Sequence, residues 1–304
     1  RRGGGCAVTL PPDGIYPGVA FPTYLGWDAW GSSSLKSMRL GPPARVLWER
    51  ENPREDTDAT ILGTRAHALI LTPSLFNAQY VELPADAPDR PTAAMLAAAK
   101  PSPASVERQK WWAEFEARAA GRTPIKAADI EVLRNIQDAF DAKDRAAMSL
   151  ASATVEASMV WTCQTTGERC KGRPDWYDDA YVYDLKVTRD AGPRLAYKAF
   201  VNGWMHQLAF YRTGLRTLGV PVKTGRLVAV NPAAPHYVWC VECREADLDV
   251  LALEAEGTLK AMRDCRIAGE WPGTPDEWTR IEMPQYAINE TVSMADALEV
   301  EDGE

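Results

Sequence analysis

Apolar residues recur along this chain in two rhythms. Between Ala127 and Leu150 they fall at Ile130, Leu133, Ile136 and Phe140, three or four apart, which puts them on one helix face. The same spacing runs through Ile61, Leu62, Ala66, Leu69 and Ile70, after Asp56 to Asp58, which can cap a helix start. Further helices are expected over Val106 to Ala119, Leu195 to Leu218 and Glu245 to Ile267. Ser32-Ser33-Ser34 caps a short one, and Gly41-Pro42-Pro43 stops it and opens another through Leu47-Trp48. The second rhythm is that of strands. Ala153 to Cys163, Cys170 to Trp176 and Tyr181 to Val187 are rich in β formers, and Thr165-Thr166-Gly167-Glu168 between the first two is turn chemistry. Leu227 to Val230 and His236 to Val241 read as two more. Residues 1–30 show no period and read as a loop-rich arm, and Pro84 to Pro103 as a long loop. The sum is an α/β fold, a central mixed sheet flanked by helices. It forms one domain with helical additions over residues 31–290, followed by an acidic tail over 291–304 that reads as disordered.

Composition narrows the class. At 304 residues, 46% hydrophobic and 25% charged, the chain has the make-up of a soluble globular protein. No apolar run approaches a membrane span, and the opening residues lack a signal peptide's apolar region, so a cytoplasmic protein is expected. Six cysteines in this length do not make a disulfide scaffold. Cys240 and Cys243 form a C-x-x-C, but Cys265 follows 22 positions later, which departs from the spacing of a metal cluster. Cys163 and Cys170 flank the turn and can face each other as thiols.

The chemistry concentrates between Glu156 and Lys186. Gly172-Arg173-Pro174-Asp175 is followed, eight residues later, by Asp184-Leu185-Lys186. In Asp-x-Lys the two charged residues share a strand face, and Asp175 can join them from a neighbouring strand end. Two carboxylates can hold a hard divalent cation, and an ammonium beside them can orient a water. That is the equipment of phosphodiester cleavage. A surface ion pair has the same spelling; the upstream Gly-Arg-Pro-Asp and the strand-turn-strand setting separate the two.

Glu156-Ala-Ser-Met-Val-Trp161, Cys170-Lys-Gly-Arg-Pro-Asp175 and Asp184-Leu-Lys-Val-Thr188 together resemble the nuclease core of exonuclease VIII, the RecE type. That family belongs to the PD-(D/E)XK superfamily, with λ exonuclease and the RecB nuclease domain as relatives. Leu62-Gly63-Thr64-Arg65-Ala66-His67 is similar to its Gly-Thr-x-x-His helix, and His206-Gln207-Leu208-Ala209-Phe210-Tyr211 to its Gln-x-x-x-Tyr helix. The likeness runs from Ser32 to Trp271-Pro272 with the motifs in family order. It implies a restriction-endonuclease-like core and a Mg²⁺-dependent, ATP-independent 5′-to-3′ exonuclease on linear double-stranded DNA, with Mn²⁺ able to substitute. Asp175, Asp184, His67 and Glu156 would hold metal, Lys186 would orient the attacking water, and Gln207 and Tyr211 would contact nucleotide or phosphate. It also implies a phage-type recombination role, a ring-shaped homo-oligomer such as a tetramer, and a single-strand annealing recombinase as partner. An endonuclease or single-strand-specific nuclease of the same superfamily, or an inactive DNA-binding scaffold, are the alternatives.

From the residues alone, His67 reads more readily as a packed core residue than as a ligand, Glu156 also reads as a solvent-facing strand residue, and Gln207 with Tyr211 as a helix-surface pair. Gly63 would admit close approach of another element. The net charge of −8 runs against phosphate binding, but Arg169, Lys171 and Arg173 beside the site, with Lys36 and Arg45 further upstream, are candidate DNA contacts. No Gly-x-x-x-x-Gly-Lys-Ser/Thr occurs, which excludes a P-loop ATP motor of that type.

Overall fold

The computed structural model describes residues 9–53, 55–278, 280 and 282. Chain order begins with β1 (Gly14–Tyr16), α1 (Phe21–Gly26), α2 (Ser32–Leu40), α3 (Ala44–Glu51), α4 (Asp58–Leu71) and α5 (Pro73–Gln79). It continues through β2 (Tyr80–Leu83), α6 (Ala93–Ala97), α7 (Pro103–Ala119), β3 (Thr123–Lys126), α8 (Ala127–Asp141) and α9 (Asp144–Ala151). Then come β4 (Thr154–Val155), β5 (Ser158–Thr162), β6 (Arg169–Gly172), β7 (Trp176–Tyr177) and β8 (Tyr181–Val187). The last elements are α10 (Leu195–Val201), α11 (Trp204–Thr217), β9 (Thr224–Val230), β10 (Val238–Glu242) and α12 (Glu245–Ala268). One compact unit extends to Trp271 and a second starts at Pro272. The acidic tail lies outside the described residues.

The central sheet has the order β10-β9-β8-β7-β4, with β8 and β9 parallel and the other pairs antiparallel. Its two faces follow from strand alternation. Tyr183, Leu185, Val228 and Val230 belong to a core shared with Ile70 of α4 and Leu133 and Ile136 of α8. Val182 and Leu227 belong to another, shared with Leu208 and Leu215 of α11 and Leu259 of α12. Asp184 and Lys186 lie on this second face.

Three expectations change on contact with tertiary structure. The hairpin over 158–172 does not continue into the Asp-x-Lys strand: β5 and β6 form a separate sheet with β1. Residues 1–30 are not simply a loop-rich arm, because β1 pairs with β5, α1 follows, and Tyr24, Trp27 and Trp30 are buried. Two expected long helices are broken. The first divides into α8 and α9 around Lys143, and the second at Gly203, whose φ of 79° suits glycine. On α7, Trp112 and Phe115 are buried against Val81 and Leu83. Gly63 would admit close approach of another element, and among the described residues no other element comes within 4 Å of where its Cβ would be.

Gly214 is required for steric reasons. A Cβ there would lie 2.8 Å from two ring atoms of the fully buried Trp161, so α11 sits against β5 with no room for a methyl. Gly214→Ala is expected to destabilise the fold by about 2 kcal/mol through overpacking, despite alanine's helix preference. Denaturant unfolding would test this; an unchanged midpoint contradicts it.

Candidate active site

Asp184 and Lys186 project from β8 on one face, and Asp175 approaches from the turn before β7, the neighbouring strand. Asp184 is almost completely buried, at 1% exposure. Lys186 Nζ donates to Asp184 Oδ1 at 2.8 Å and lies 2.6 Å from Oδ2. The second contact is a charge contact without hydrogen-bond alignment, so Oδ2 is buried with no donor of its own. Asp175 Oδ2 accepts the Leu185 backbone N–H at 2.6 Å, and its Oδ1 faces His67 Nδ1 at 3.6 Å, just beyond hydrogen-bond reach. His67 arrives on α4, whose start is fixed by a capping box in which Thr57 and Thr60 bond reciprocally. Thr57 lies within the stretch Asp56 to Asp58 expected to cap this helix.

The electrostatics follow from burial and crowding. Burial, with Asp175 adding to it, pushes the Asp184 carboxyl up to about 6 against the pull of Lys186. For Asp175 burial acts upward too, but His67, Lys186 and the Leu185 N–H hold it below the ordinary carboxylate value. Burial disfavours the charged forms of His67 and Lys186. Asp175 outweighs it at His67, and Asp184 with Asp175 outweighs it at Lys186, so both are raised. Lys186 is therefore an ammonium at neutral pH: a donor, not a base.

Gln207 and Tyr211 sit one turn apart on α11 and close the same site. The Gln207 amide donates to the phenol oxygen at 3.0 Å, leaving the phenol's own proton to be given elsewhere. Burial first, and then Asp184, raise the Tyr211 pKa, so it stays a phenol. Three residues were missed from sequence. Ser32, at the start of α2, lies close enough to the Tyr211 phenol to favour its ionised form. Tyr24 of α1 is buried near enough to Tyr211 to feel its charge. Trp204 puts its ring 5.9 Å from Lys186 Nζ. Only Trp204 carried a signal, being one turn before Gln207 on a helix already of interest. A cavity of about 350 Å³ opens beside Lys186, lined by residues including Lys36, Arg39, Trp204, Gln207 and Glu254.

Other expected residues are engaged elsewhere. Glu156 is not on a strand: it lies between β4 and β5 with φ of 47°, its N–H bonds the Asp175 carbonyl, and its carboxylate pairs with Arg173 at 3.3 Å. Arg169, Lys171 and Arg173, expected to grip a phosphate backbone, instead hold the N-terminal segment. Arg169 bonds the Pro11 carbonyl and Asp13. Lys171 bonds the carbonyls of Tyr24, Leu25 and Trp27 at 2.7–3.1 Å. Burial, then Arg50, bring the Lys171 ammonium down to about 8. Arg173 bonds the Val19 carbonyl and Ser158 Oγ. The reason is alternation: these residues are two apart and share one strand face, and the arm covers that face. Arg45 is tied to Glu49 and the Leu40 carbonyl. Cys163, Cys170 and Cys243 are buried free thiols, and Cys240 points to the opposite, exposed side.

The donor set fits a hard divalent cation. Among the described residues no three acidic, imidazole or thiol groups close into a cage. An all-protein cage is not what Mg²⁺ needs, since it is commonly held by one or two carboxylates together with water and substrate phosphate. The donorless, buried Asp184 Oδ2 and the adjacent Asp175 carboxylate supply that minimum, with the His67 imidazole alongside.

The fold has a counterpart among known proteins. Among solved structures, a protein from Eubacterium rectale described as a "putative exonuclease" superposes with a TM-score of 0.53 at 10% identity, over 86% of this chain and 92% of that one. An alkaline exonuclease from Laribacter hongkongensis matches 68% of this chain and 95% of its own at 16% identity, with a TM-score of 0.27. No curated protein matches the sequence. Residues 31–281 match the model of the PDDEXK-like domain of unknown function (DUF3799), and the chain accordingly belongs to that family, a nuclease domain of the PD-(D/E)XK type.

Proposed function

We propose that this nuclease is a divalent-metal-dependent, ATP-independent exonuclease that degrades linear duplex DNA from 5′ to 3′ and leaves 3′ single strands for recombination by annealing. The observation that carries the reading is the meeting of Asp175, Asp184, Lys186 and His67, from one strand, the turn before its neighbour and a helix, around one buried and incompletely bonded carboxylate. The description of the Eubacterium rectale protein supports the exonuclease class. The ring-shaped oligomer, the annealing partner, the preference for Mg²⁺ and a cytoplasmic setting belong to the same reading. Among the described residues no helix is long and apolar enough to cross a membrane.

Asp184 and Asp175 would hold the cation, with His67 beside them. When bound, the cation offsets phosphate charge and lowers the pKa of a water. The chain's own groups do the rest. Lys186 presents N–H donors to the attacking water and the phosphate. Tyr211, with its oxygen satisfied by Gln207, can donate its proton to a phosphate oxygen. Asp175 is oriented by the Leu185 N–H.

Duplexes labelled separately at each end, with a covalently closed circle as control, test the polarity. Early loss of the 5′ label from linear DNA and survival of the circle are expected, without ATP. Cutting of the circle would indicate an endonuclease, and prior loss of the 3′ label would reverse the polarity.

His67→Ala is expected to weaken metal binding, with activity partly restored by excess metal and a larger penalty in Mn²⁺ than in Mg²⁺, because imidazole favours Mn²⁺. If His67 only packs the core, thermal stability falls and added metal recovers nothing.

A further inference from the structure

The residues across the sheet from Lys186 form a surface that the catalytic centre does not use. In register, Lys186 of β8 pairs with Ala229 of β9, and Ala229 with Trp239 of β10. Side chains in one such row share a face, so Trp239 stands on the face of Lys186, two strand spacings or roughly 10 Å away. The residue between them is only alanine, and Trp204, the ring beside Lys186, packs against the small cluster it forms with Ala191 and Leu195.

Trp239 is 41% exposed and Tyr237, two residues earlier, is 44% exposed. The Tyr237 hydroxyl lies 3.9 Å from where a Cβ on Gly192 would be, which sets this ring against the segment joining β8 to α10. That segment and α10 carry Arg189, Arg194 and Lys198 after Lys186, against one acidic residue, Asp190, in a chain whose net charge is −8. They also carry Tyr197, 66% exposed. Exposed rings interleaved with cations at the edge of a phosphodiester-cleaving centre are the composition that binds unpaired nucleotides: the rings stack on bases and the cations track the backbone.

We propose that Trp239, Tyr237 and Tyr197 form a stacking surface for unpaired bases of the strand whose phosphate lies at Asp184 and Lys186. A span of roughly 10 Å, two strand spacings, lets unpaired bases next to that phosphate reach these rings. The inference rests on the nuclease reading of the site, and it adds a single-stranded occupant and a place for it.

The test uses the full chain in EDTA, so that cleavage does not intervene, with binding of a fluorescein-labelled oligothymidine followed by anisotropy at fixed salt. Trp239→Ala is expected to weaken binding about tenfold, Trp239→Phe to keep most of it, and Trp239→Leu to behave like alanine, since leucine supplies apolar area without a π face. Tyr197→Ala, at a more exposed position, should weaken binding independently. In cleavage of the same strand with metal, Trp239→Ala should raise KM and leave kcat near wild type. Equal binding by Trp239→Ala and wild type, or rescue by leucine, overturns the proposal. So does sedimentation showing that Trp239→Ala dissociates a wild-type oligomer while oligothymidine binding is unchanged, for the surface would then be a subunit interface. Wild type that neither binds nor cuts DNA defeats the nuclease reading itself; wild type that cuts while Trp239→Ala keeps its KM defeats only this inference.

Discussion

Asp184→Asn is expected to reduce cleavage by more than about a thousandfold, the scale seen when one member of a unit of catalytic groups is removed, while DNA binding survives. The amide keeps the shape and loses the charge. In the native protein that charge is expensive to hold, since burial lifts the carboxyl to about 6. Lys186 contacts both its oxygens yet leaves Oδ2 without an aligned donor. A buried anion in that state gains by attracting a cation, and an amide does not. A pH signature follows. Below about pH 6 the metal-free carboxyl is protonated, and a proton competes with metal for the same oxygen. The metal concentration needed for half-maximal binding should therefore rise in the wild type as pH falls through 6. In Asp184→Asn binding should be weak at every pH, without that inflection. Mn²⁺ titration by calorimetry between pH 5 and 8 reads this directly. Full activity in the mutant would remove Asp184 from the site, and a scaffold protein would show no metal-dependent cleavage even in the wild type.

What could be read before folding was whatever depends on residues near one another in sequence. Asp184 and Lys186 share a face because strand geometry demands it, and Gln207 and Tyr211 meet because helix geometry does. The helix carrying His67 was visible in its apolar spacing. Long-range competition was not visible. Arg169, Lys171 and Arg173 looked like a basic stripe next to a nuclease motif, but three backbone carbonyls within residues 24–27 claim Lys171, and Pro11, Asp13 and Val19 share the two arginines. No local pattern announces that a Gly- and Pro-rich opening will return to cover that strand. Glu156 was misplaced for the same reason. Its carboxylate is paired by Arg173, seventeen residues on, and its positive φ has no sequence signal in a glutamate. The sheet was legible in its parts and not in its order, since the hairpin over 158–172 joins β1 and leaves the central sheet to β8 and β9.

Lys186→Ala should separate turnover from metal binding. Protonated lysine has no lone pair to offer a cation, so its loss removes no ligand. In this structure the ammonium rests on the carboxylate that metal needs, 2.8 Å and 2.6 Å from its two oxygens. Removing it takes away a competitor and leaves a buried carboxylate without its partner, a state costly enough to strengthen any replacement cation. Metal affinity in Lys186→Ala is therefore expected to match or exceed wild type, and turnover at saturating metal to fall by about a hundredfold or more, because the ammonium set against Asp184, where phosphate charge would develop, is gone. Lys186→Arg should recover charge but little turnover, since a planar fork does not reproduce a compact ammonium. Single-turnover cleavage beside Mn²⁺ calorimetry makes the comparison. The opposite result, a strongly weakened metal site with normal turnover once saturated, would mean that Lys186 serves the fold of the site and takes no part in the reaction.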